Sequence, residues 1–202
     1  MGRKTNPTMT RTMARKTQLW LVRHGRAGGN ARHILNGTRR DTPLTRKGRA
    51  EARALARGWK ERPDIIFTSP LKRARQTAHY FEKRYGLAAI RLGLLSEQDC
   101  GNWSGHSMLK LVKERPERFF PYEDGRRSHF LKTVPGGESW NDVLGRARRF
   151  LAWVRKAHPG KRILVVSHGV FDIACASLLS GIRPPRLWEC RLKNADWVRF
   201  EL

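Results

Sequence analysis

The chain is poor in acid: 17 Asp and Glu stand against 42 Lys and Arg in 202 residues, a formal charge of +25. Cysteine is scarce too, with only Cys100, Cys175 and Cys190. An odd number at no metal-ligand spacing argues against a disulfide framework and against a zinc site, and fits a reducing cytoplasm. Long apolar runs are missing. None approaches the ~20 residues of a membrane helix; Ile163 to Val166, for instance, is stopped by Ser167 and His168, so a soluble cytoplasmic protein is expected, with no membrane partner. No Walker-type glycine loop occurs. Residues 1–17 hold no acid and no apolar stretch, which excludes a secretory signal. They are expected to form a basic disordered tail, with an organellar transit peptide as the weaker alternative, ahead of one domain over 18–202.

What is present is enough for one well-buried core and too little for two. The basic surface attracts polyanions whatever its purpose. Two readings stay open: a surface for nucleic acid, non-specific, or a solvated surface of Arg-rich composition. Scatter of the Arg residues along the whole chain favours the second.

The apolar pattern alternates strand and helix. Leu19 to Val22 is a short buried strand that ends at Arg23-His24-Gly25, followed by a Gly- and Asn-rich loop to Gly37. Ala50, Ala54, Leu55 and Trp59 recur at helical spacing over 45–60, with Thr45 as N-cap and Pro63 as terminator. Asp64 to Thr68 is a second strand; Ser69-Pro70 then starts a helix, with Pro at its first position, that runs to Tyr85 and stops at Gly86. Ala88 to Leu92 makes a third strand. An irregular stretch follows from Leu94 to Gly137, broken by a helical piece over 108–114, and its part over 106–134 is expected to cover substrate. Ser139 to Ala157 is a long amphipathic helix with Trp140, Val143, Leu144, Ala147, Phe150, Leu151 and Val154 on one face. Arg162 to Val166 is a strand, His168 to Leu179 a helix stopped by Gly181, and Leu187 to Leu192 with Trp197 to Glu201 a closing hairpin about 193–196. Such alternation predicts an α/β fold, a three-layer α/β/α sandwich.

Two buried strands each end in a His followed by Gly: Leu21-Val22-Arg23-His24-Gly25 and Val165-Val166-Ser167-His168-Gly169. Ligands of parallel sheets sit beyond the carboxyl ends of the strands, so both imidazoles can converge on one crevice. Singly, either is an ordinary structural histidine. The second strand also ends in a charged turn, Thr68-Ser69-Pro70-Leu71-Lys72-Arg73, which puts Arg73 on the first turn of a helix, where anions are favoured. Arg23 and Arg73 near His24 both disfavour protonation of its imidazole and offer paired donors to an anion.

In these residues the chain resembles the histidine phosphatase superfamily, which includes cofactor-dependent phosphoglycerate mutases, broad-specificity phosphatases and α-ribazole phosphatase. The resemblance runs in order from Leu19 to about Leu179. It is carried by Arg23-His24-Gly25 with Asn30 and Gly37, by 41–45 with Gly48, by Ser69, Leu71, Arg73, Ala74, Gln76, Thr77 and Ala78, by Glu97, Gly101, Trp103 and Gly105, by 135–139, and by Ser167-His168-Gly169. It departs from the family at Arg26, usually acidic or amide, at Ala27, usually Thr or Ser, and at Cys100, usually bulky and apolar.

The resemblance implies a phosphoglycerate mutase-like fold and a metal-independent phosphatase that needs no cofactor and acts on a small phosphorylated substrate. The catalytic set it implies is His24, Glu97, Arg23, Arg73 and His168. His24 takes the phosphoryl group, and Glu97 gives a proton to the leaving alcohol and later takes one from water. Asn30, Gly25, Arg26, Ser167 and Gly169 are the implied substrate-binding residues, with Arg26 at the pocket mouth; no residue is assigned to a metal. Glu138 and Ser139 are expected to cap the long helix. Phe119, Phe120, Tyr122, His129 and Phe130 are equally readable as packing and as substrate lining, with Arg126 and Arg127 suited to extra negative charge. His33, His79, His106 and His158 are expected at the surface. Two competing readings remain: a phosphoglycerate mutase, which the short excursion disfavours, and a basic nucleic-acid-binding or regulatory protein on the same fold, which the intact catalytic set disfavours.

Overall fold

A computed structural model describes residues 15–114, 134–182 and 191–202. The elements in chain order are β1 (Gln18–Arg23), α1 (Gly28–Ala31), α2 (Arg46–Gly58), β2 (Ile65–Thr68), α3 (Lys72–Tyr85), β3 (Ile90–Arg91), α4 (Met108–Glu114), α5 (Trp140–Ala157), β4 (Arg162–Ser167), α6 (Gly169–Ser180) and β5 (Trp197–Glu201). They build one sheet in the order β3-β2-β4-β1-β5, parallel except for β5.

Strand residues alternate between two cores, as the pleat requires. Leu19, Leu21, Phe67, Ile163 and Val165 face α5 and α6. Trp20, Val22, Ile66, Leu164 and Val166 face α2 and α3. Helices therefore cover both sides of a mostly parallel sheet, which is the three-layer α/β/α sandwich that the alternating pattern predicts.

Several elements differ in detail from their sequence patterns. In α2 the buried residues are Gly48, Ala52 and Ala56, while Ala50 and Ala54 face solvent. The helix is rotated because Gly48 must approach the loop after β1: a Cβ on Gly25 would lie 2.4 Å from the Gly48 carbonyl oxygen. Pro70 does not begin α3. Leu71 is the N-cap residue and offers no side chain; the carboxylate of Asp41 accepts from the Lys72 N–H at 2.7 Å instead. The third strand is only two residues long, paired to the end of β2.

Only part of the expected closing hairpin falls on described residues. Leu187 to Cys190 lie outside the described residues, Arg191 and Leu192 are not strand, and β5 pairs antiparallel with β1. That pairing closes the sheet edge that β1 would otherwise expose. Thr17, assigned by composition to the tail, is buried: its hydroxyl donates to the His158 carbonyl at 3.0 Å, and its own carbonyl accepts from Leu202. His158 is half-buried rather than exposed, its ring 4.9 Å from Trp153 and 5.5 Å from Phe67. His33, His79 and His106 are exposed. Residues 1–14, the aromatic and arginine positions from Phe119 to Phe130, and Cys190 lie outside the described residues.

Candidate active site

The register of two parallel strands creates the site. Arg23 on β1 pairs with Ser167 on β4, so the next residues, His24 and His168, leave the sheet side by side at its carboxyl edge. The His24 N–H donates to the Ser167 carbonyl at 3.1 Å, and the imidazole centroids lie 5.1 Å apart. β2 ends at the same edge. There Ser69 donates its N–H to Val166, and its hydroxyl oxygen is 2.7 Å from His168 Nε2.

His24 is 3% exposed and tightly oriented. Its Nδ1 lies 2.7 Å from the Gly25 carbonyl, so Nδ1 carries the proton; Nε2 then holds a lone pair, which accepts from Arg73 Nε at 3.3 Å. Burial first, then the Arg73 guanidinium, then Arg23, hold the pKa well below the usual imidazole range, against the opposing Gly25 bond. Burial thus outweighs the charge repulsion that the sequence pattern points to. His168, fully buried, is held neutral by burial and then by Arg73 and His24.

The two guanidinium groups are pinned at their far ends. Arg73, 2% exposed, donates from Nη2 to the Gly37 carbonyl at 2.9 Å and has Asp41 3.9 Å from Nη1. Arg23 donates from Nη1 to the Leu192 carbonyl at 2.7 Å. Arg23 Nε and His168 Nδ1 are buried with no hydrogen-bond partner among the described residues. A buried guanidinium N–H without an acceptor beside an unprotonated imidazole is chemistry suited to an anion. The backbone of Gly169 crosses Arg23 so closely that a Cβ would sit 3.3 Å from the guanidinium.

Glu97 stands where α6 begins. Its Oε1 accepts from Val170 N–H at 3.2 Å and Gln98 N–H at 3.0 Å, and its charge raises the pKa of both Arg23 and Arg73 against the effect of burial. Its segment is held by Arg146, which the motif reading missed. Arg146 makes a two-pronged ion pair with Glu138, 2.8 Å on each side, and donates to the carbonyls of Leu94 and Ser96 at 2.7 and 2.9 Å. Glu138 in turn accepts from Asp99 N–H at 2.9 Å. Glu138 is therefore no helix cap. Ser139 caps α5 in a reciprocal pair with Asp142. A Glu-to-Arg spacing of eight residues across a helix start is a signal too general to have been singled out.

The remaining motif residues take mostly supporting places. Gly25 donates its N–H to the Thr77 hydroxyl, and the Asn30 Oδ1 accepts from Ala27 N–H at 3.1 Å. Arg26 has its backbone locked, with N–H to Glu51 at 2.9 Å and carbonyl to Thr45. The Ser167 hydroxyl is committed to Asp172, a buried carboxyl that sequence reasoning did not mark. Asn194 also went unmarked; its amide donates to the His24 carbonyl at 3.0 Å. Cys100 is buried, and its thiol is pushed up to about 12, chiefly by burial and then by Glu97, so no thiolate competes as nucleophile near neutral pH. Among the described residues no group of three or more His, Cys, Asp or Glu could hold a metal ion, and no helix is long and apolar enough to cross a membrane.

The model of the histidine phosphatase superfamily (branch 1) matches residues 19–202. The chain belongs to the histidine phosphatase superfamily. Phosphoserine phosphatase 1 of Hydrogenobacter thermophilus is 32% identical over 182 residues, 89% of this chain and 84% of the relative. A 2,3-bisphosphoglycerate-dependent phosphoglycerate mutase of Methylobacterium radiotolerans is 33% identical over 194 residues, 91% of this chain and 89% of the relative. Among solved structures, a mycobacterial glucosyl-3-phosphoglycerate phosphatase superposes with a TM-score of 0.76 at 28% identity, covering 90% of this chain and 91% of that one. The phosphoglycerate mutase-like fold and the histidine phosphatase family expected from the ordered motifs both hold.

Proposed function

We propose that the protein is a phosphatase that hydrolyses a small phosphomonoester through a phosphohistidine on His24. One observation carries the reading: a buried, neutral His24 whose Nε2 lone pair lies against Arg73 Nε, with Arg23 Nε and His168 Nδ1 both buried and without a hydrogen-bond partner among the described residues. His24 Nε2 attacks phosphorus, the P–O bond to the alcohol breaks, and Glu97 supplies the proton that the alcohol takes away. Water then attacks the phosphohistidine, giving its proton back to Glu97 and releasing phosphate and neutral His24. Arg23, Arg73 and His168 hold the three phosphoryl oxygens, whose charge is spread in a loose transition state. Asn30 and the backbone of Gly25, Ser167 and Gly169 shape the pocket. Arg26, half-buried beside it, selects among leaving groups.

Phosphoserine and glucosyl-3-phosphoglycerate, named in the relatives, both carry a carboxylate near the phosphate, and they head the substrate panel. Phosphate release is measured without added metal and with a chelator present. His24→Ala is expected to abolish release, and brief incubation of the native protein with a radioactive donor is expected to label His24 in acid-labile, alkali-stable form. Undiminished turnover in His24→Ala sinks the proposal. Isomerisation of 3-phosphoglycerate that depends on a bisphosphate, with negligible phosphate release, would assign the same histidine to a mutase.

A further inference from the structure

The positive charge that is scattered along the sequence is gathered in space. Helices α2 and α3, which pack side by side on one face of the sheet, carry ten Lys and Arg and two acids; α5 and α6 on the other face carry five and two. The two acids of the α2–α3 layer leave a large positive excess. Glu51 accepts from the Arg26 N–H, and Glu82 accepts from the Ala89 N–H and stands 3.5 Å from His79. Elsewhere arginines are matched by carboxylates, as Arg39 is by Asp99 and Arg162 by Asp64.

On this layer lies a cleft of about 600 Å³, whose lining includes Arg49, Lys72, Arg75, His79 and Arg91 and a single carboxylate, Glu82, which stands 3.5 Å from His79. Lys72, Arg75, Gln76 and His79 follow one another along a single stripe of α3, about 10 Å long at 1.5 Å per residue. Arg49 reaches in from α2 and Arg91 from the edge strand β3. All five basic side chains are exposed, and those of Lys72, Arg75 and Arg91 meet no carboxylate among the described residues. The catalytic Arg73 belongs to the buried face of the same helix, so the stripe is separate from the phosphoryl pocket.

We infer that this cleft and the α2–α3 face around it bind the sugar-phosphate backbone of a nucleic acid strand. Cations brought together from three elements, Lys72 and Arg75 on α3, Arg49 on α2 and Arg91 on β3, match the repeating charge of such a polymer, and each neutralised phosphate releases condensed counterions. Charge beyond the cleft, at Arg53, Arg57 and Lys83, gives a long chain more partners than a single phosphorylated metabolite has. A membrane surface fits worse: the cationic groups line a recess, and the lining holds no large aliphatic side chain to enter a bilayer.

The test uses the full-length protein and a fluorescein-labelled single-stranded oligonucleotide of about twenty nucleotides, read by anisotropy over a range of salt. The double reversal Arg75→Glu with Arg91→Glu is compared with Arg148→Glu and Arg149→Glu on α5, which changes net charge equally on exposed positions of the opposite face. The cleft pair is expected to weaken binding by tenfold or more and to flatten the log-log salt slope by about one to two units. The α5 pair is expected to change affinity less than about threefold. Turnover of a small phosphomonoester should be retained in both, which certifies folding. Equal losses in the two pairs would reduce the effect to diffuse charge and overturn the site. Absence of oligonucleotide binding at low salt would overturn it too, as would tighter binding to phosphatidylserine vesicles than to the strand.

Discussion

At the scale of single residues, the contrast between the carboxyls is informative. Glu97 keeps one oxygen on the amide of Val170, at the edge of the pocket, where a proton can pass to a leaving group. Glu97→Gln is expected to slow alkyl phosphates by about 10² to 10⁴, as loss of a general acid does, and to slow p-nitrophenyl phosphate far less, because that phenolate leaves without a proton. Equal losses on both esters would remove Glu97 from this role. Asp172 is the opposite case: fully buried, with Oδ1 on the Ser167 hydroxyl and Oδ2 without a partner among the described residues, it is pushed up to about 8, mainly by burial, with Glu97 adding to the rise while Ser167 and Arg23 oppose it. A folded-state pKa above the unfolded one means that the native chain holds the extra proton. The resulting stability is complete below about pH 4 and is lost as pH rises to about 8. His24 and His168, held neutral, act in the reverse sense as pH falls through their unfolded value near 6.5, so the difference between two proteins that share them is the clean measure. Asp172→Asn should gain in urea midpoint relative to the native chain between about pH 5 and about pH 8.5. A difference that stays constant with pH would show that Asp172 is ionised in the fold.

At the scale of elements, the active site depends on contacts between segments far apart in the chain. The N-terminus of α3, which carries Arg73, is capped by Asp41, and the segment that carries Glu97 is tied to α5 by Arg146. Only a planar guanidinium can hold Glu138 with two bonds and the carbonyls of Leu94 and Ser96 at once. Arg146→Lys keeps the charge but gives up this fork. We expect it to lower stability by about 1–3 kcal/mol, and to lower kcat on alkyl phosphates by about tenfold with little change in KM, while p-nitrophenyl phosphate suffers less, following the leaving-group signature of Glu97. A loss of stability with no dependence on the leaving group would confine Arg146 to packing.

At the scale of the whole molecule, the charge of +25 creates a field that draws anionic substrates in. For a substrate fast enough that encounter limits the rate, kcat/KM should fall as the Debye length shrinks from ~10 Å at 0.1 M salt to ~3 Å at 1 M. A slow substrate, limited by chemistry, serves as the control and should change little. No salt dependence with the fast substrate would mean that the field does not reach the pocket mouth.

Much of this was legible in one dimension because strands and helices announce themselves through local periodicity. Leu19 to Val22, Arg162 to Val166 and the face of α5 from Trp140 to Val154 follow from apolar spacing alone, and the ordered blocks from Arg23 to Gly169 mark the family. The rest required three dimensions, because it consists of meetings between residues that have no common local pattern. Parallel register sets His24 against His168; burial, more than the neighbouring arginines, keeps both neutral. The rotation of α2 was decided by Gly48 against Gly25, the place of β5 by the open edge of β1, and the role of Glu138 by Arg146. Charge followed the same rule: its amount is a property of composition, but its concentration on α2 and α3 arises only when two helices from separate parts of the chain are packed on one face of the sheet.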